Sequence, residues 1–241
     1  MPAPAQFNEE FLFWLRVETE RVWATYKSKI LDTTEGSRRI GADWQTGTRW
    51  TGGLSESQIT GLERRWGCTF PKDYRLFLRT LHATDRPMKG LGYTSGNSIE
   101  AIERPGFYNW LTEQGAIRNA VEGEFEGLAS DVEHYLWFPK WGKRPEKTED
   151  RWHEFRKIFE SAPKLIPIFG HRFLLSDESG AGSAVLSMHH SDIIVHAANL
   201  RDYLLTEFAE LFSHENFKLG ADMDQIYPQL RKVPFWGDFL T

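Results

Sequence analysis

An α+β fold is the expectation for this chain, and three stretches carry it. Leu54 to Leu81 reads as two capped helices, Glu9 to Leu31 carries large apolar residues at helical spacing, and Arg172 to His196 reads as three successive strands. Helices first, a mostly antiparallel sheet later, and helices beside it make an α+β domain.

In the helix pair, Ser55 is placed to cap the first helix and Gln58 to complete a capping box, with Leu54 and Ile59 as its hydrophobic staple. Ile59, Leu62 and Trp66 mark one apolar face, and Gly67 is placed to end the helix in a left-handed turn. Pro71 suits the first turn of the next helix, where a missing N–H costs nothing. Tyr74, Phe77, Leu78 and Leu81 supply its apolar face.

Upstream, Asn8 is a candidate cap with Phe7 and Leu12 as its staple, and Phe11, Leu12, Leu15, Val22, Trp23, Tyr26 and Ile30 form the stripe. Thr33 to Gly53 reads as a linker or a short strand around Thr48-Arg49-Trp50. The middle, about 100–162, reads as several short helices, with Phe107, Trp110, Leu111 and Ile117 in one cluster and Trp152, Phe155, Ile158 and Phe159 in another. Strands are expected at Arg172–Ser176, Ser183–Met188 and Ser191–His196, followed by a helix capped by Asn199. The aromatic tail ending in Val233-Pro-Phe-Trp-Gly-Asp-Phe-Leu240 is expected to fold back on the body, since an exposed version would leave an apolar patch.

Composition narrows the function. A hydrophobic share of 40% and an aromatic share of 14% in 241 residues suit a folded protein. No apolar run approaches the ~20 residues that span a bilayer, and the start of the chain lacks the pattern of a signal peptide. With Cys68 as the single cysteine there is no intrachain disulfide, so a cytoplasmic location is expected. A net charge of −5 argues against nucleic acid as partner and suits a basic protein instead.

No motif assembles a reaction. His189 and His190 invite a metal or catalytic reading, but neighbours on a regular strand point to opposite faces and only a turn would let them converge. Cys68 lies past a helix C-terminus, the wrong end of the dipole for activating a thiol. His153-Glu154 lacks the second helical histidine of a zinc protease, and Gly90 to Gly96 lacks the Lys-Ser/Thr end of a phosphate loop. The expectation is therefore no enzyme, no metal and no cofactor.

Two stretches remain as candidate partner surfaces. Glu113, Glu122, Glu124, Glu126, Asp131 and Glu133 form an acidic run opposed only by Arg118. Such carboxylates suit a Lys- and Arg-rich partner. The other stretch runs from Trp137 to Arg144, with Trp137 and Trp141 as aromatic anchors beside basic residues; Trp and Arg are common at interface hot spots. The plainer alternatives are a solvated face and core packing.

Leu54-Ser-Glu-Ser-Gln-Ile59, Leu62-Glu63, Gly67 and Phe70-Pro-Lys-Asp-Tyr-Arg-Leu-Phe-Leu78 resemble the opening of a SUKH (Smi/Knr-like) domain. Pro163 to Asp177, Gly182 to Met188, Asp192 to His196 and Asn199 to Leu204 are similar to its closing strands and helix, in order. The resemblance runs from about Leu54 to Phe212, broken by the middle. One departure is plain: where such domains commonly carry Asn-Gly after the second helix, this chain has His82-Ala83-Thr84.

The resemblance implies a SUKH-like, mostly antiparallel sheet packed with helices over 54–212, with a helical insertion at about 100–162. An N-terminal helix and linker (1–53) and a C-terminal aromatic tail (213–241) would dock on it. It also implies a non-enzymatic, cytoplasmic protein-binding domain of the bacterial immunity type, which neutralises toxins, often nucleases. The alternative is a regulatory adaptor of the Smi/Knr type with an endogenous protein partner.

Overall fold

The computed structural model describes residues 2–28, 41–93, 99–212, 219–220 and 223–240. Seven α-helices and seven β-strands form among them, in an α+β arrangement. Helix α1 (Glu9–Trp23) is followed by the short strand β1 (Gly41–Asp43), the helix pair α2 (Glu56–Trp66) and α3 (Lys72–Thr80), and strands β2 (Met88–Tyr93) and β3 (Ile99–Arg104). Helices α4 (Gln114–His134) and α5 (Thr148–Ser161) precede β4 (Leu165–Phe169), β5 (Arg172–Leu175), β6 (Val185–His189) and β7 (Asp192–Ala197). Helices α6 (Leu200–Glu207) and α7 (Met223–Leu230) complete the set.

Local chemistry sets the helix ends. The Ser55 hydroxyl accepts the Gln58 N–H, and the Gln58 side chain accepts the Ser55 N–H at 2.8 Å, closing the capping box. Gly67 ends α2 at φ 60, in the left-handed conformation that a side chain makes costly. Asn8 and Asn199 cap α1 and α6 by accepting the N–H groups of Phe11 and Asp202. Helix α1 is shorter than the apolar stripe predicts: it stops at Trp23, and residues 29–31 of the expected helix lie outside the described residues.

The strands form two antiparallel sheets, β1-β2-β3 and β4-β5-β6-β7. The second is buried on both sides over β4 and β5, whereas β7 alternates and leaves Ile194 49% exposed. Ile166, Ile168, Leu174 and Val185 face a core shared with α1, α2, α3 and α6. Phe173, Leu175, Leu186, Met188, Ile193 and Val195 face the opposite core, shared with α4, α5 and the C-terminal segment. Double burial explains why Leu165 to Phe169 is continuously apolar instead of alternating.

The middle of the chain differs from the expected run of short helices. It opens with β3 and contains one helix of 21 residues, α4, packed against α5 and the second sheet. Of the first expected aromatic cluster, Phe107, Trp110 and Ile117 are buried, whereas Leu111 is 41% exposed. The glycine-rich stretch begins as strand β2, whose Gly90 lies so close to the Gly41 carbonyl that a Cβ would sit 1.8 Å from its oxygen; residues 94–98 lie outside the described set. Thr48-Arg49-Trp50 forms no named strand, only a bridge from Trp50 to Thr84.

Arg16 ties α1 to the body, donating from Nη2 to the carbonyls of Thr51 at 3.0 Å and Thr80 at 2.8 Å. The C-terminal segment buries Val233, Phe235, Trp236, Phe239 and Leu240 in the second core. Among the described residues, no helix is long and apolar enough to cross a membrane.

Candidate functional site

A groove of about 400 Å³ opens where the end of α2, the first half of α4, the end of α5 and the start of β4 converge. Trp66, Cys68, Trp110, Phe159, Leu165 and Trp236 line its apolar floor, and Arg118, Glu122, Glu160 and Lys164 line its rim. Two of the three indoles are fixed walls. Trp110 donates from Nε1 to the Tyr74 hydroxyl at 2.7 Å and from its backbone to His82 Nε2 at 3.1 Å. Trp236 donates to the Pro163 carbonyl at 2.7 Å. Trp66 is different: the residue is half-buried, its ring N–H is buried without a hydrogen-bond partner among the described residues, and the Arg118 guanidinium lies 5.9 Å from its ring centre.

His82 makes the groove wall possible. It follows α3 at φ 65, a left-handed conformation that is uncommon for a residue with a side chain and that Asn and Gly adopt readily. Its ring faces inward as a hydrogen-bond acceptor, and burial pushes its pKa down to about 4. A neutral imidazole is what the Trp110 N–H requires.

The acidic run does not form one surface. At 100° per residue, Glu122, Glu126 and Glu133 fall within roughly 40° of one another on α4, while Glu124 and Asp131 lie roughly 160–180° away from Glu122. Glu122 and Glu126 are exposed and Glu133 half-buried, and Glu122 pairs with Arg156 at 2.8 Å. Glu113 precedes the helix and accepts the Asn109 N–H at 2.7 Å. Burial raises the Glu124 carboxyl to about 7, so near neutral pH it carries only part of a charge. Asp131 is buried, 9% exposed, and turned towards the β6–β7 hairpin. Glu122 alone of the six reaches the groove.

The two tryptophans of the aromatic-basic stretch are held by the protein itself. Trp137 donates to the Gly142 carbonyl at 2.9 Å, and Trp141 donates to Asp238 at 2.8 Å. Trp141 also stacks on Phe235, with ring centres 5.5 Å apart and planes 14° apart.

His189 and His190 do converge at a turn, their rings stacked 5.0 Å apart. His190 sits at φ 57 in the two-residue connection between β6 and β7, and Gly127 of α4 leaves room for its ring. Asp131 anchors this turn by accepting the Ser191 N–H at 2.8 Å, with His190 Nδ1 at 3.4 Å. Burial works against the Asp131 charge, yet hydrogen bonds from Ser191, Tyr135 and His190 hold its carboxyl below the usual range. Asp, His and Ser thus meet without forming a nucleophilic relay, because the Ser191 hydroxyl pairs with Tyr135 Oη at 3.1 Å and Asp131 grips the backbone. Among the described residues, no three His, Cys, Asp or Glu side chains are placed to hold a metal ion. Cys68 is no better suited to nucleophilic chemistry, since burial, with Glu63 and Glu178 nearby, pushes its thiol up to about 12.

A second group of ionisable side chains lies on the α6 side of the sheet. Arg172 donates to the Ser187 hydroxyl at 2.5 Å, and His196 meets Tyr203 edge-on with ring centres 6.0 Å apart. Burial, with the charges of Arg172 and His171 beside it, lowers His196 to about 4.

Sequence reading missed Trp66, Arg118, Lys164 and Trp236 as companions. Arg118 and Glu122 were within reach, because Ile117, Val121, Phe125, Leu128 and Val132 mark α4 at helical spacing and so fix which residues share its faces. The other groove residues come from distant segments that no local period connects. Comparison with protein-family models, with curated proteins and with solved structures finds no match to this chain.

Proposed function

We propose that this chain acts as a non-enzymatic binding protein for a protein partner, of the SUKH immunity type, and that its partner is a toxin with a basic surface. The groove carries this reading. It joins an aromatic floor to a rim that includes Arg118 and Glu122, and Glu122 continues along α4 into the exposed Glu126. Aromatic anchors in a pocket beside charged groups suit a protein hot spot, the charges mainly setting partner choice and encounter rate. The half-buried Trp66, beside the Arg118 guanidinium, is the natural anchor.

The resemblance over Leu54 to Phe212 supplies the immunity assignment, with nuclease toxins as the class to test first. Co-expression with the toxin-like product of a neighbouring gene should protect cells and give a complex on purification. A Glu122→Lys/Glu126→Lys variant, folded by circular dichroism, should lose protection and slow association at low salt. Absence of both protection and complex removes the immunity reading. Recovery of a complex with an endogenous regulatory protein in place of the toxin favours the adaptor reading.

A further inference from the structure

A second cavity, of about 310 Å³, lies between the Pro139–Trp141 turn, the last turn of α5 and the segment from Arg231 to Asp238. Its charge is opposite to that of the chain. Lys140, Arg231 and Lys232 line it against one carboxylate, Asp238, which leaves a formal +2 in a protein of net −5. Asp238 is already committed: its side chain is 3% exposed, it accepts the Trp141 indole N–H at 2.8 Å, and it pairs with the Lys140 ammonium. Arg231 uses Nε to hold the Leu240 carbonyl at 2.8 Å, leaving its two Nη groups without hydrogen bonds among the described residues. The Lys232 ammonium likewise has no partner among them.

The lining is also aromatic. Trp141 and Phe235 stack there, and Phe235 holds φ 67 and ψ −62, a γ-turn closed by the Trp236 N–H to the Pro234 carbonyl at 2.8 Å. This positive-φ γ-turn is rare and strained, and strain of this kind gathers at ligand sites. Gly237 allows the turn to press on the Arg231 backbone, where a Cβ would lie 2.4 Å from the carbonyl oxygen. The cavity is therefore built by specific contacts, and its volume falls at the small end of the ~300–1,000 Å³ usual for ligand pockets.

We propose that this cavity binds a small organic anion, a carboxylate or phosphate monoester on an aromatic body, with the anion on Arg231 and Lys232 and the ring against Trp141 and Phe235. Guanidinium and ammonium donors give short, charge-assisted bonds to either oxyanion, and the cavity-lining edges of Trp141 and Phe235, whose faces stack on each other, offer apolar contact to a flat ring. This ligand is separate from the protein partner proposed above, and its test does not involve that partner.

Titration calorimetry on the full chain with phenyl phosphate, benzoate and inorganic phosphate separates the sources. Saturable 1:1 binding of phenyl phosphate or benzoate at roughly millimolar concentration or tighter is expected, weaker for inorganic phosphate, which lacks the ring. Whichever aryl anion binds more tightly identifies the head group. Lys232→Glu should weaken that binding by about tenfold or more while leaving the thermal unfolding temperature in place, because its exposed side chain holds no other group among the described residues. Arg231→Gln should weaken it as well, with some loss of thermal stability because its Nε holds the Leu240 carbonyl, and Lys27→Glu, exposed and outside the lining of either cavity, serves as the neutral control. No binding of either aryl anion, or binding that Lys232→Glu and Arg231→Gln leave intact, would overturn the assignment.

Discussion

Acid should destabilise this protein through His82, and by a calculable amount. The ring accepts the Trp110 N–H at 3.1 Å, and the residue is only 2% exposed. Burial lowers its pKa from 6.5 to about 4. Between those values the unfolded chain carries the extra proton and the folded chain does not. His82 therefore contributes its stability fully above about pH 6.5 and loses it as pH falls towards 4. The difference of 6.5 and 4, at 1.36 kcal/mol per unit, gives about 3 kcal/mol, of which about 2 kcal/mol is gone by pH 5. Urea midpoints followed by far-ultraviolet circular dichroism at about pH 7.5 and about pH 5, for the parent and for His82→Asn, measure it. Asn tolerates the left-handed backbone and does not titrate, so the variant should begin less stable but lose about 2 kcal/mol less on acidification. His196, lowered to about 4 as well, adds a loss in the same window that both proteins share. Parallel acid profiles for the two proteins would refute the role given to His82.

Gly53→Ala should cost about 2 kcal/mol or more, because its Cβ would sit 1.8 Å from the Arg79 carbonyl oxygen, whereas Gly52→Ala, with nothing within 4 Å, should stay near neutral in a thermal melt. Ser55→Ala should cost about 1 kcal/mol by breaking the capping box, read as a lower urea midpoint with an unchanged slope. Asp131→Ala should cost about 2 kcal/mol by freeing the Ser191 N–H. Its distinguishing sign is faster amide exchange at Ser191 and along the β6–β7 turn, with α2 and α3 unaffected.

The helix pair was readable because its signals are local. A cap, its box partner, a terminal Gly and the apolar residues between them lie within one or two turns of each other, so Ser55, Gln58 and Gly67 announce α2 without help from the rest of the chain. Strands β5, β6 and β7 were readable for the same reason, from short apolar runs bounded by turns. Strand β2 was not. Its Met88-Lys-Gly-Leu-Gly-Tyr93 has two glycines and little alternation, and it becomes a strand because β1 and β3 flank it. Helix α4 was obscured by its glycines and acidic residues, although its apolar spacing was present throughout.

The candidate site divides along the same line. By itself, the amino-acid order determined the helix caps, the apolar stripes and the acidic character of the middle. Tertiary structure decided what those residues are for. It turned Asp131 inward to hold a hairpin, gave Trp141 to Asp238 and Phe235, and left Glu122 beside a groove whose walls come from residues as far apart as Trp66 and Trp236. Spacing along a chain reports which residues share one helix or strand face. Pockets and their charge arise where separate elements meet, and that depends on packing between segments that carry no common period.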